Sequence, residues 1–180
     1  MVNRLLVWAG ENSRLERVAN TNSLAAKMVH RYVAGPALED GVAAAVELNG
    51  QGIRGILDLL GEAVTDLSGA SQATNQYLEA VQTIADRGID STVSLKLTQL
   101  GLLIDREACV ANLATVLDRG REVGVGVEID MEQSDVAGDT IEVYREAAAT
   151  HPGTRLAIQA TCAVRPRTST RWRHCSRESG

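Results

Sequence analysis

The chain has 180 residues, 44% of them apolar and 23% charged, with a formal net charge of −5. That length supports one domain with a sizeable core, and the composition is that of a globular protein without the roughly 18-residue apolar run of a membrane helix. Outside residues 161–180 the chain carries 13 basic and 22 acidic residues, which excludes nucleic acid as an expected partner.

Near the N-terminus Arg4 and a short apolar stretch are followed at once by Glu11 and Arg14, with no small-residue cleavage site, so no signal peptide is expected. Cysteines occur only at 109, 162 and 175. Together these features predict a cytoplasmic chain without structural disulfides.

Residues 13–48 read as a helical region, part of an N-terminal segment spanning 1–50. Residues 53–62, IRGILDLLGE, form an apolar, β-branched run closed by Gly61 and predict a strand. A helix follows over 73–87, where Tyr77, Leu78, Val81, Ile84 and Ala85 share one face and Gly88 stands at the end. The next strand is 91–100. A helix over 106–123 then places Val110, Leu113, Leu117 and Val123 inward. A strand over 125–132, a helix over 139–149 with Ile141, Tyr144 and Ala148 inward, and a strand over 154–160 complete the pattern. Strands alternating with helices of ten or more residues predict an α/β fold with a parallel sheet and right-handed crossovers over 51–160.

Each strand alternates apolar and polar residues where a parallel strand covered on both faces would be apolar throughout. Ser94, Lys96 and Thr98 alternate with Val93, Leu95 and Leu97, and Glu128, Asp130 and Glu132 alternate with Val127, Ile129 and Met131. Arg155, Ala157 and Gln159 alternate with Leu156 and Ile158. Asp58, Lys96, Asp130 and Gln159 recur about one βα unit apart toward the C-terminal ends of their strands, which is where βα barrels build sites. Plainer readings exist for each: an edge-strand charge for Lys96, a solvated face for Asp130, a satisfied amide for Gln159 and a loop charge for Glu62. Coincidence of position favours a site, and an unpaired inner charge is costly, so a Lys and an Asp on neighbouring inner faces should meet each other or a polar ligand.

The segments RYVAG (31–35), LDLLGE (57–62), VSLKLTQLG (93–101), EIDME (128–132) and AIQA (157–160), in this order and spacing, resemble the bacterial monofunctional proline dehydrogenases. The resemblance implies a distorted βα barrel that binds FAD, oxidises L-proline to Δ1-pyrroline-5-carboxylate and passes electrons to a membrane quinone. It assigns Lys96 to the proline carboxylate, Asp130 to the strand-end catalytic aspartate, Met131 and Gln159 to FAD contacts, and Glu62 to an acid that pairs with a late arginine. Asp58 would be an inner-face support. A quinone acceptor would add a peripheral position at the inner membrane face. A non-catalytic remnant, or a different βα-barrel chemistry in the form of a Schiff-base lyase with Lys96 as nucleophile, are the alternative readings of the same residues.

Residues 161–180 break the pattern, with five Arg, one Glu, two of the three cysteines and no apolar periodicity. Complete members of the resembled family continue after AIQA with Tyr-Leu-Arg-Arg, further strands and paired arginines. One synonymous coding of residues 160–176, read one base earlier, restores Tyr-Leu-Arg-Arg and an amphipathic helix. The expectation is therefore an unstructured, out-of-frame tail behind the N-terminal half of a (βα)8 barrel. Such a half would self-associate through its open sheet edges, bind little FAD and lack proline oxidation.

Overall fold

A computed structural model describes residues 33–61 and 63–158 of the chain. Within them the order is α1 (Leu38–Gly50), β1 (Gly55–Asp58), α2 (Leu67–Arg87), β2 (Ser91–Leu95), α3 (Arg106–Val123), β3 (Val127–Asp130), α4 (Ala137–Thr150) and β4 (Arg155–Ala157). All strand pairings are parallel, in the order β1-β2-β3-β4, with Gly55 opposite Ser91, Val93 opposite Val127 and Ile129 opposite Leu156. Consecutive strands lying side by side, with a helix in each connection, make a partial βα barrel of the expected class.

The sheet and helices pack through alternation. Val93, Leu95, Val127 and Ile129 are buried and meet Tyr77, Val81, Ile84, Leu113, Val116 and Leu117 in one core cluster. The opposite face of the strands carries Asp58, Ser94, Lys96, Glu128 and Asp130, none of them fully buried. Helix α3 lies so close to β3 and the turn before it that a Cβ on Gly120 would fall 2.9 Å from Val127 Cγ2 and 2.7 Å from the Val125 carbonyl oxygen.

Several boundaries differ from expectation for local reasons. Of the region 13–48, residues up to 32 lie outside the described residues; α1 begins only at Leu38, where the Asp40 carboxylate accepts from Ala37 N at 3.0 Å, and runs to Gly50. Helix α2 starts six residues before position 73 because Asp66 caps it, accepting from Gly69 N at 2.8 Å; Gly69 and Ser68 in its first turn had concealed that start. Strand β2 stops at Leu95 rather than 100, since turns take over: Gln99 N donates to Lys96 O at 3.1 Å and Leu100 N to Leu97 O at 3.0 Å. Strands β1, β3 and β4 are likewise shorter than 53–62, 125–132 and 154–160. Helix α4 extends one or two residues beyond 139–149 at each end.

The α3 core face includes Cys109, which is buried and whose thiol donates to Leu97 O at 3.5 Å. Burial pushes this thiol from 9.0 up to about 12. A folded-state value above the unfolded one means that stability is intact below about pH 9 and falls as pH rises toward 12, by about 1.4 kcal/mol per pH unit. Burial also pushes the Tyr77 phenol above its usual 10.0, so a second decline starts later. Urea midpoints at pH 8, 9, 10 and 11 should show the first decline in the parent and not in Cys109→Ala, while the later one, above pH 10, persists in both.

Candidate functional site

The C-terminal ends of the strands bring three charged side chains together. Asp58 is the last residue of β1, Asp130 the last of β3, and Lys96 follows directly after β2. Strand register places Asp58 opposite Ser94, and Lys96 lies two residues further along the same face, so its long stem can lean back to the neighbouring strand. The Lys96 ammonium donates to both Asp58 oxygens, at 2.8 and 2.9 Å, and lies 3.7 Å from Asp130 Oδ2.

Lys96 has only 19% of its side chain exposed, against 35% for Asp58 and 31% for Asp130. Two carboxylates around one ammonium leave a formal charge of −1 at half-buried strand ends. The ammonium, a compact point charge with three donors, uses two of them on Asp58 and directs its remaining capacity toward Asp130 and the space between. A bound anion placed there would compete with Asp58 for the same donors.

One layer toward the other end of the strands lies a second polar cluster. Glu128 accepts from Thr92 Oγ1 at 2.9 Å and pairs with Arg155 at 3.0 Å, joining β2, β3 and β4 across their inner faces. Its three members satisfy one another. The cluster at the strand ends is the one with exposed oxygen atoms available to a ligand.

Of the residues singled out in the sequence, Lys96 and Asp130 meet at the strand ends. Asp58, read as a support, is the closest partner of Lys96. Met131 follows Asp130 and its side chain is 1% exposed, inside the core. Glu62 and Gln159 lie outside the described residues. Three further residues had no sequence signal strong enough to mark them: Tyr77, Gln99 and Glu132. Tyr77 donates its hydroxyl to Gln99 Oε1, and Gln99 Nε2 donates to Leu59 O at 3.3 Å. Glu132 accepts from Thr98 N at 3.1 Å and from Thr98 Oγ1 at 2.5 Å. The hints were the alternation that put Glu132 on the polar face with Asp130, and that Thr98 and Gln99 are polar residues inside the otherwise apolar run from Leu97 to Leu103.

Among the described residues no group of His, Cys, Asp and Glu is arranged to hold a metal, and no helix is long and apolar enough to cross a membrane.

Comparison with known proteins places this architecture. The profile of the family described as proline dehydrogenase matches residues 42–178. Proline dehydrogenase 1 of Bacillus subtilis subsp. natto is 31% identical over 148 residues, covering 81% of this chain and 48% of the relative. Proline dehydrogenase of Deinococcus radiodurans is 26% identical over 160 residues, covering 85% and 51%. The chain thus spans about half the length of the curated relatives it matches. In fold, it resembles proline utilization A from Bdellovibrio bacteriovorus, in a crystal structure inactivated by N-propargylglycine, with a TM-score of 0.74 at 22% identity, over 87% of this chain and 19% of that one.

Proposed function

From the premise that this chain belongs to the proline dehydrogenase family, we propose that its strands supply one sector of an FAD-dependent proline oxidation site that passes electrons to a membrane quinone. The observation that carries the reading is the Asp58–Lys96–Asp130 cluster, set at the C-terminal strand ends within the residues the family profile matches. In this reading Lys96 receives the proline carboxylate, which takes donors that Asp58 holds in the unliganded cluster. Asp130 is the strand-end catalytic aspartate and fixes charge beside the substrate. Glu62 is the acid that pairs with an arginine from the other half of the barrel.

The residues present fit a flavin at the strand ends, where the Asp130 carboxylate, 31% exposed, can meet the polar edge of an isoalloxazine. Met131 is buried as a whole residue and backs the Asp130 strand end from the core, so in this reading the Gln159 amide is the cofactor's further polar contact. When bound, the flavin supplies the oxidising equivalent that accepts a hydride from the substrate. The protein's share is to orient proline and to balance its charge.

A parallel sheet of four strands has two unpaired edges among the described residues, β1 and β4, and a barrel site needs the ring closed. A polypeptide of these 180 residues alone is therefore expected to bind little FAD, to show no proline:quinone activity and to self-associate. Joined through residue 158 to the second half of the Bacillus subtilis relative, it should yield a yellow protein bleached by L-proline. A yellow protein that proline leaves oxidised would sink the reading. Borohydride trapping of a carbonyl compound on Lys96 would replace it with Schiff-base chemistry.

A further inference from the structure

The ion cluster depends on three strand ends keeping their relative positions, yet each strand stops at or just before its charged residue. Backbone ladders do not extend to hold them there: β1 ends at Asp58, β2 at Leu95 and β3 at Asp130. The structure shows what takes over. Immediately after Lys96 the chain turns, and the next two polar residues, Thr98 and Gln99, are each only 3% exposed.

Gln99 is used at both ends of its amide. Its oxygen accepts from the buried Tyr77 hydroxyl of α2, and its nitrogen donates to the carbonyl of Leu59, the residue after Asp58. Gly61 closes against the same amide, where a Cβ would fall 2.8 Å from Gln99 Nε2. Thr98 works in the other direction. Its N–H and hydroxyl both donate to Glu132, two residues beyond Asp130, and its carbonyl accepts from Val64 N at 3.4 Å. Two adjacent residues thus tie the ends of β1, β2 and β3 to each other and to α2. Buried networks of this kind are stiff when every member is satisfied, because any departure strands a polar group in the core.

We propose that Thr98 and Gln99 form a positioning joint for the Asp58–Lys96–Asp130 cluster: Gln99, held by Tyr77, fixes the Asp58 end relative to Lys96, and Thr98, held by Glu132, fixes the Asp130 end. Neither touches the ligand; both act through the geometry of the ion cluster. The joint rests on the proposed function only for its purpose, since the geometry stands whether or not proline is the ligand.

The chain contains two lysines, Lys27 and Lys96, so competitive amine acetylation read by mass spectrometry reports on Lys96 with Lys27 as internal reference. Gln99→Met removes both amide bonds and Gln99→Glu removes only the donation to Leu59. Both are expected to raise Lys96 labelling relative to Lys27 about fivefold or more, because the ammonium spends more time away from Asp58. Gly61→Ala, at an exposed loop position where unfolding is not expected, should raise it by pushing on the same amide. Thr98→Ser keeps both donors to Glu132 and should label like the parent. Amide exchange at Val93, Leu95 and Ile129 should remain protected in all four variants. Unchanged Lys96 labelling in Gly61→Ala and Gln99→Glu would overturn the joint, and so would a rise that merely follows faster exchange throughout the sheet. Protection of Lys96 by added L-proline in the barrel completed with the Bacillus subtilis half is scored separately: its failure removes the proline reading and leaves the joint standing.

Discussion

Lys96→Met is expected to lower kcat/KM for L-proline by about a hundredfold or more in the barrel completed with the second half of a relative, equivalent to about 2.7 kcal/mol of lost transition-state stabilisation. The ammonium is the sole cation within salt-bridge reach of either Asp58 or Asp130 among the described residues, so its loss leaves two carboxylates facing a substrate that is itself a carboxylate. Repulsion replaces attraction at the point where the ligand binds. Folding should suffer as well. An exposed pair contributes roughly 0–1 kcal/mol and removal of one partner from a buried pair costs about 3–5 kcal/mol. Side-chain exposures of 19%, 35% and 31% put this cluster between those limits and nearer the exposed one, and a loss of about 1–2 kcal/mol is expected. Adding Asp58→Asn to Lys96→Met removes one of the uncompensated charges and should recover part of the stability but none of the activity. Urea denaturation and steady-state kinetics on the same preparations separate the two effects; full activity in Lys96→Met would remove Lys96 from the site.

The alternation that marked the inner face was legible because the period of two survives wherever a strand does. Ser94 and Lys96 against Val93 and Leu95, and Glu128 and Asp130 against Val127 and Ile129, lie on opposite faces as read. Strand ends were not legible. From Leu97 onward the residues still look like a strand, but Leu97, Thr98, Gln99 and Leu100 are all buried, because the backbone turns and a turn has no fixed inner and outer face. The same blindness hid the joint. Thr98 looked like the next polar position of an alternation and Gln99 had no place in it, whereas their partners are 22 and more residues away in Tyr77, Leu59 and Glu132, and no local pattern encodes such distances. The Asp58 partnership was partly legible: acids and a lysine recurring about one βα unit apart said that charges would meet, but strand register decided that Lys96 would lean to β1 in preference to β3.

A second test with a large effect concerns the contact that seats α3 on β3 and so fixes where Asp130 ends up. Gly120→Ala would be favourable in an isolated helix by about 1 kcal/mol. In this fold the added Cβ would lie 2.7 Å from the Val125 carbonyl oxygen and 2.9 Å from Val127 Cγ2. The first neighbour is backbone of the turn that feeds β3, itself held by Val125 N donating to Gly120 O at 2.8 Å, so neither side can give without moving helix or strand. Overpacking of a well-packed core costs about 1–3 kcal/mol, which exceeds the helix gain, and a net loss of about 1–2 kcal/mol is expected. Gly138→Ala is the matched control. It also lies in a helix, α4, but a Cβ there meets nothing within 4 Å, so only the loss of unfolded-state freedom operates and stability should rise by about 0.5 kcal/mol. Opposite signs at two helical glycines, measured by urea midpoint in one protein, would establish that α3 is docked by backbone contact. The same sign at both would mean that the helix sits further from β3 than these distances require.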